Sequence, residues 1–449
     1  MIREVKIVIT CATLLFLWTN SLHGQPTLTL KQCIELALND NRSVHNADLD
    51  VRAARTKTKE TRASALPQAT ASASLTDNLA IPVVMLPGEI VGLPGEMIPA
   101  ELGVPYEAGI SLQLNQVIFN PALFAGIKAA RSAEELAELK LRMTKEQLIY
   151  DVASVYFDIL HGERQLKSVA DNIDLQDSVY AKTELRVKDD LAREIDLNRI
   201  RVNISSLKVR KENLRIAVEQ RKRYLQVLTG MSLDEDFSTD DSILTGIDFP
   251  KRGTYGETLP LQKTELVALQ RQKRLNELES KATRMQYLPA LLFVASGTYQ
   301  FQSEQFRLGD KDSWFGSAFI GLRLNIPIFD GSAKRHTIKQ IKLRDMQLDN
   351  DIRHTEQSVR MERDNALSEL TVSYESIRLQ EENLRLAEKT REQSRMLYEE
   401  GLYTVTDLLQ TEYSLREAQT AHISEIIRYK KAELNLIKAE GKLVENYEL

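Results

Sequence analysis

Two stretches of this chain alternate apolar with polar residues and then run directly into long charged segments of helical period. Ser111–Asn120 reads SLQLNQVIFN, and Gly321–Asp330 reads GLRLNIPIFD. At an offset of 210 residues, Leu112 and Leu322, Leu114 and Leu324, Asn115 and Asn325, Ile118 and Ile328, and Phe119 and Phe329 coincide. A strand joined to a very long helix, written twice, indicates an internal two-fold sequence repeat, and the remaining elements are ordered by it.

In the first copy, Leu28–Ala65 has apolar positions Ile34, Leu36, Leu38, Val44, Leu49 and Val51 interleaved with charge, which predicts a helix ended by Leu66-Pro67. Gln68–Leu79, rich in Ala, Ser and Thr, reads as a weak strand. Ile81–Pro105 holds five prolines and a doubled Leu-Pro-Gly-Glu phrase, so it is expected as an exposed loop between strands. In the next strand Ala108, Ile110, Leu112 and Leu114 alternate with Gly109, Ser111, Gln113 and Asn115. A barrel wall between lipid and water needs that alternation. A half-buried sheet on a soluble core carries it too, so strand chemistry leaves both open. From Pro121 the pattern stays helical to about Lys188, a span of roughly 100 Å at ~1.5 Å per residue. A break at Asp189-Asp190-Leu191 precedes a return helix ending at Thr229-Gly230. In that helix positions 200, 204, 207, 211, 214, 218, 221, 225 and 228 alternate steps of four and three, and all but Lys211 and Arg221 are Ile, Leu or Val. That is a coiled-coil seam.

The order then recurs. Leu261–Gln286 is expected as helix, stopped by Tyr287-Leu288-Pro289. Strands are expected at Ala290–Phe301 and Trp314–Ile328, with a loop of mixed charge over Gln302–Ser313. In the last strand Ala318, Ile320, Leu322, Leu324 and Ile326 share one face, and Arg323 and Asn325 lie on the other. A long helix over Gly331–Glu400 breaks at Gly401, and a return helix runs from about Thr404 to Gly441. In the long helix Leu370, Ile377 and Leu384 keep a seven-residue step, again a seam. The boundaries expected are a signal peptide over 1–24, a first repeat over 25–230, a linker over 231–260 and a second repeat over 261–449.

Composition narrows the class. Charged residues make up 27% of the chain while only 19 Gly and 12 Pro interrupt it, which favours long helices. A net charge of −5 without a basic stripe argues against a nucleic-acid partner. Arg3 and Lys6 followed by apolar Ile7–Trp18 form the leader, with cleavage expected before Gln25. Its removal takes Cys11 and leaves Cys33, so no intrachain disulfide is expected. No other segment is apolar enough for a membrane helix, so entry into a membrane would have to use β-strands. The chemistry-bearing residues form no catalytic constellation. His45, His161, His336, His354 and His422 are scattered, with no paired His ligands at helical spacing and no third ligand nearby, and read as solvated helix residues. No phosphate loop and no nucleophile elbow occurs. No enzyme, metal or cofactor is expected.

Helix, strand, loop, strand, long helix, turn and return helix, all twice, resembles the TolC-like outer membrane efflux proteins. Leu30–Leu38 followed by Asn41 resembles the family's N-terminal helix entry. Ala65-Leu66-Pro67-Gln68 and Tyr287-Leu288-Pro289-Ala290 resemble its helix-to-strand junctions. Tyr398–Ala418 (YEEGLYTVTDLLQTEYSLREA) resembles the tip and return helix of its second hairpin. The resemblance implies a mainly α fold with membrane β-structure. Four strands per chain would enter a shared trimeric twelve-stranded barrel in the outer membrane of a Gram-negative bacterium, with coiled-coil helices forming a periplasmic α-barrel. It implies a homotrimer that works with a periplasmic adaptor (membrane fusion protein) and an inner-membrane pump, and conducts substrate passively to the exterior, in efflux or type I secretion.

The resemblance also assigns roles. Gly401 and Leu402 match the adaptor-contacting tip, with Asp189, Asp190 and Leu191 at the corresponding turn of the first repeat. Asp190 stands where the second repeat has Gly401. The first turn therefore either departs from a Gly-dependent geometry or holds an Asp in a left-handed conformation. Asp407 matches an acidic position that rings the periplasmic mouth, and Gln410 stands where the family has a second acid, which halves the expected charge. Arg323 and Asn325 are candidates for the barrel lumen, and Trp314 and Phe315 for an aromatic girdle. Two rivals remain at this stage. A periplasmic adaptor has one hairpin flanked by short β-segments, and a structural coiled-coil protein has no membrane strands; two hairpins and four strands favour the channel.

Overall fold

A computed structural model describes residues 26–87, 89, 92, 95, 97–244 and 263–447. The expected leader (1–24) and most of the expected linker (residues 245–260) lie outside the described residues. In chain order the elements are β1 (Thr27–Leu28), α1 (Leu30–Asp40), α2 (Arg42–Ala63), β2 (Gln68–Asp77), β3 (Val83–Pro87), β4 (Met97–Glu101), β5 (Tyr106–Phe119), α3 (Pro121–Lys188) and α4 (Glu194–Thr229). They continue with β6 (Ser238–Thr239), α5 (Thr264–Met285), β7 (Ala290–Ser303), β8 (Trp314–Asn325), α6 (Ala333–Glu399), α7 (Val405–Ala439) and α8 (Leu443–Tyr447). The chain forms two compact units. One comprises Met1–Leu49, Glu138–Ala268 and Asp351–Leu449, as far as these are described; the other comprises Asp50–Ala137 and Leu269–Asn350.

The second unit holds a four-stranded antiparallel sheet in the order β2-β5-β7-β8. Its register sorts the side chains. Ala69, Ala71, Ala73 and Leu75 of β2 share a face with Leu114, Leu112, Ile110 and Ala108 of β5. That face continues through Ala295, Gly297 and Tyr299 of β7 to Ile320, Ala318 and Gly316 of β8. Thr70, Ser72, Gln113, Ser111, Ser296, Thr298 and Arg323 lie on the other. Ser72 and Ser111 hydroxyls meet across it at 2.7 Å. β2 is exposed along its whole length and β8 along most of it. The helices of this unit are tied by ion pairs, Arg55 to Glu134 at 3.4 Å and Arg271 to Glu135 at 2.8 Å.

Several boundaries differ from the sequence reading. The loop expected over 81–105 contains its own two-stranded ribbon, β3 paired with β4. Prolines bar a central strand, yet Pro87 and Pro99 are accommodated because a ribbon of two strands leaves half its backbone groups facing outward. β8 ends at Asn325, so Ile326 and Ile328 lie beyond it; Pro327 has no N–H to extend a ladder. The first expected helix is two, divided at Asn41. Asn41 has an extended backbone, accepts the Ser43 N–H through its side chain at 2.8 Å, and donates to the Leu228 carbonyl at 2.8 Å. α1 begins with a capping box between Thr29 and Gln32.

The first unit is built from the helical hairpins α3–α4 and α6–α7. The expected seam is realised: Ile200, Ile204, Leu207, Val218 and Leu225 are buried, while Lys211 and Arg221 are exposed. Leu370 and Ile377 are buried as well. Its main apolar cluster joins Ile34 and Cys33 of α1 to Val152, Tyr156, Phe157 and Leu160 of α3, Leu225 of α4 and Leu434 of α7. Burial pushes the Cys33 thiol up to about 12. The described start of the linker joins this cluster. β6 pairs in parallel with β1, and the Tyr156 hydroxyl lies 2.8 Å from the Leu28 carbonyl and 2.9 Å from that of Asp240.

Candidate functional site

The turns that close the two hairpins are made alike. At the end of α3, Leu191 N–H donates to the Arg186 carbonyl at 2.8 Å and Asp190 N–H to the Val187 carbonyl at 3.2 Å. At the end of α6, Leu402 N–H donates to the Leu397 carbonyl at 2.8 Å and Gly401 N–H to the Tyr398 carbonyl at 3.1 Å. Both are Schellman closures, which need one residue of positive φ. Gly401 supplies it with φ 79° and Asp190 with φ 58°. Of the two alternatives raised by the sequence, the left-handed Asp holds, because a short polar side chain tolerates that region better than most. Asp189, Asp190, Leu191, Gly401 and Leu402 are all exposed.

The helices that follow start differently. Thr404 caps α7, its hydroxyl accepting the Asp407 N–H at 3.2 Å. Asp407 answers, its carboxylate accepting from the Thr404 hydroxyl at 2.6 Å and the Thr404 N–H at 3.1 Å. These bonds hold the Asp407 carboxyl below its ordinary value. Asp407 is exposed, as is Gln410 one turn on. In the first hairpin the corresponding cap is Arg193, whose side chain has no acceptor, and it makes no capping bond. The residue corresponding to Asp407 is then Asp196. It is buried, with Arg193 Nε at 3.1 Å and Arg199 Nη1 at 3.7 Å. The sequence reading found one of these two carboxylates. Carrying the spacing of the turns (190 to 401) forward to Asp407 would have found the other.

Side chains also join the two hairpin ends. Arg186 of α3 donates to the Tyr398 carbonyl at 3.0 Å and the Glu399 carbonyl at 2.9 Å. These are terminal carbonyls of α6, which a guanidinium fork satisfies well. Thr183 and Tyr398 hydroxyls meet at 2.7 Å, Lys182 pairs with Glu399 at 2.7 Å, and Arg199 donates to Thr406 Oγ1 at 2.8 Å. Beneath them Val179, Ile200, Ile204, Tyr398, Val405 and Leu408 form an apolar cluster. Farther along the hairpins the packing turns polar. Gln176 is fully buried with neither amide atom hydrogen-bonded, and buried Glu412 has Arg391 at 3.7 Å and one carboxylate oxygen unpartnered. Burial raises the Glu412 carboxyl, against the opposing pull of Arg391, Arg395 and Arg416. A groove of about 270 Å³, lined by Arg164, Asn172, Arg391, Glu412 and His422 among others, lies beside this layer.

In the sheet, Arg323 stands opposite Leu292 and Asn325 opposite Ala290, both exposed. Trp314 stands opposite Phe301 and Phe315 opposite Gln300, so these adjacent aromatics point to opposite faces. A single girdle therefore takes only one of them. Trp314 stacks on Tyr299 with ring centroids 5.0 Å apart.

Comparison with known proteins agrees with the architecture. Residues 262–442 match the family model described as outer membrane efflux protein. A probable efflux pump outer membrane protein, SepC of Pseudomonas putida, is 22% identical over 423 residues, covering 92% of this chain and 83% of that one. The toluene efflux pump outer membrane protein TtgF, from another strain of that species, matches to the same extent. Among solved structures, CusC superposes with a TM-score of 0.75 at 20% identity, covering 94% of this chain and 95% of CusC. The outer membrane protein VceC of Vibrio cholerae gives 0.72 at 18% identity, covering 92% of this chain and 96% of VceC.

Proposed function

We propose that this TolC-like outer membrane efflux protein is the passive outer-membrane conduit of a tripartite export system, working as a homotrimer. The observation that carries the reading is the four-stranded sheet, with one apolar face, a second face of Ser, Thr, Gln and Arg323 interrupted by Phe315 and Phe319, and an open strand at each edge. Unpaired strand edges in lipid are untenable because no water reaches them. Closure with two further copies gives twelve strands without an edge. The apolar face through Ile110 and Ile320 then meets lipid, and Arg323 and Asn325 line the lumen.

The hairpin ends supply the periplasmic part of the reading. The exposed turns at Asp189–Leu191 and Gly401-Leu402 are the contacts for the adaptor, which links the channel to an inner-membrane pump. Asp407, exposed and ionised, contributes one carboxylate per copy to the mouth, with uncharged Gln410 one turn deeper. A ring of three carboxylates favours cations at a narrow opening. Asp196 adds no free charge there, because its carboxylate lies between Arg193 and Arg199. No step of bond-making chemistry is assigned to the chain.

The decisive measurement is the native mass of membrane-extracted protein with and without detergent. A trimer that stays dispersed only in detergent is expected. A water-soluble species of any other stoichiometry would replace the channel with an adaptor or a structural coiled coil.

A further inference from the structure

We infer that the β3–β4 ribbon is a clasp between copies of this chain, packing its outer face against the loop at residues 304–313 of the adjoining copy. The inference rests on the trimeric channel reading and adds to it the surface that locks one copy to the next.

The ribbon lacks the polar face a solvent-exposed hairpin needs. In its register Val83 faces Glu101, Met85 faces Pro99 and Pro87 faces Met97, so these six share one face, and all six are exposed. Val83, Met85 and Met97 are 56%, 52% and 57% exposed. The other face, Val84, Leu86, Ile98 and Ala100, is apolar too and mostly half-buried. Contiguous exposed apolar surface on an ordered element marks a contact surface. Pro99 has no N–H to offer another strand, which favours contact through side chains over strand addition. The base is fixed: Asn78 N–H donates to the Pro105 carbonyl at 2.7 Å and Leu102 N–H to the Pro82 carbonyl at 3.2 Å.

Two β7–β8 loops flank the ribbon, the chain's own through β5 and β7 and the adjoining copy's through β2. Phe306 of the chain's own loop packs on Tyr106 with ring centroids 5.5 Å apart. The outer face of the ribbon stays exposed all the same, so the adjoining copy's loop is the one left to cover it. Asp77 stands opposite Tyr106, and Tyr106 opposite Ser303, so the ribbon and the β7–β8 loop leave the sheet at the same end. Edge-to-edge closure sets β8 of one copy beside β2 of the next. The loop leading into β8 then lies next to the ribbon that follows β2. That loop is preformed, with Trp314 Nε1 donating to the Leu308 carbonyl at 3.0 Å and Asp310 capping a short turn. It exposes Phe306 and Leu308.

The acidic ribbon is repelled by an anionic lipid surface. No Lys or Arg occurs between Arg62 and Lys128, whereas Glu101 of the ribbon is exposed. The loop offers Arg307 and Lys311, both exposed, alongside Glu304, Asp310 and Asp312. Asp310 is engaged by the Asp312 N–H and the Ser313 hydroxyl.

Disulfide trapping tests the clasp in the full-length protein in its membrane. Buried Cys33 gives a quiet background. Met97→Cys combined with Leu308→Cys, oxidised and run without reductant, is expected to give dimer and trimer bands that neither single variant gives. An intrachain product at monomer mass, or two thiols still open to alkylation, would overturn the clasp. Dimers from Met97→Cys alone would overturn it as well, by showing that ribbons meet one another. Native mass on the same samples separates the two levels: a trimer without cross-links sinks only the clasp, whereas a non-trimer sinks the channel. Independently, Met85→Asn with Met97→Asn is expected to lower the temperature at which the extracted trimer dissociates by about 5 °C. An unchanged temperature would count against the clasp.

Discussion

Asp190 and Gly401 hold the same position in the two hairpin turns, and both are left-handed, with φ 58° and 79°. They reach that geometry at different cost, since Gly has no Cβ to strain. Asp190→Gly is therefore expected to stabilise the fold by up to about 1 kcal/mol, and Gly401→Ala to destabilise it by about 1 kcal/mol. Melting temperatures of the two variants check this; shifts of the same sign would contradict it. Gly401→Pro is more severe, because proline fixes φ near −65°. Loss of adaptor cross-linking with trimers retained is expected, and normal cross-linking there would remove Gly401 from the docking surface.

Asp407 has a local duty and a proposed pore duty, and the two separate experimentally. Asp407→Asn keeps an acceptor for Thr404 and removes the charge. The reconstituted pore is expected to lose cation preference while its melting temperature barely moves. Because the Asp407 carboxyl is held below its ordinary value, its charge and its capping bonds persist through mild acid. The stability it contributes is present above the ordinary Asp range and is lost as pH falls through the lowered value. A reversal potential in a salt gradient unchanged by Asp407→Asn would take the residue out of the mouth.

Glu412 titrates in the opposite sense. Its carboxyl is raised by burial, so the folded state holds the proton more tightly than the unfolded chain. That contribution is complete below the ordinary Glu value and disappears as pH rises through the raised one. Glu412→Gln is expected to flatten this part of the stability profile and to leave the variant more stable than the parent near neutrality. Parallel melting curves for parent and variant across that range would refute it.

Gly162 marks the close approach of α3 and α4. A Cβ at this position would lie 2.5 Å from Val218 Cγ2. In an open helix Gly→Ala stabilises, but here overpacking is expected to cost about 1–3 kcal/mol. Val218→Ala in the same chain should recover most of the loss, and a failure to rescue would place the defect elsewhere.

Much of this architecture was legible because long helices and alternating strands are local, periodic patterns. The helix from Pro121 to Lys188, the breaks at 189–191 and 401, the seam through Ile200 and Leu225 and the strand starts at Gln68, Ala290 and Trp314 follow from spacing and stop residues. A left-handed residue at 190 was one of two readings left open by the missing glycine. Events decided by contact between distant residues were not legible. The division at Asn41 depends on a bond to Leu228, and the start of the linker is held by Tyr156. The pairing of Asp196 with Arg193 and Arg199 depends on how a hairpin end folds back on itself. The facing of the weak first strand was open as well, because Ala alternating with Ser and Thr gives little hydrophobic contrast between its two faces. Only its register with β5 sets Ala71 beside Leu112 and Ser72 beside Ser111, and a slip of one residue would have reversed both. Periodicity fixes which residues can share a face; the long-range hydrogen bonds and close contacts that choose among neighbours exist only once the chain is packed.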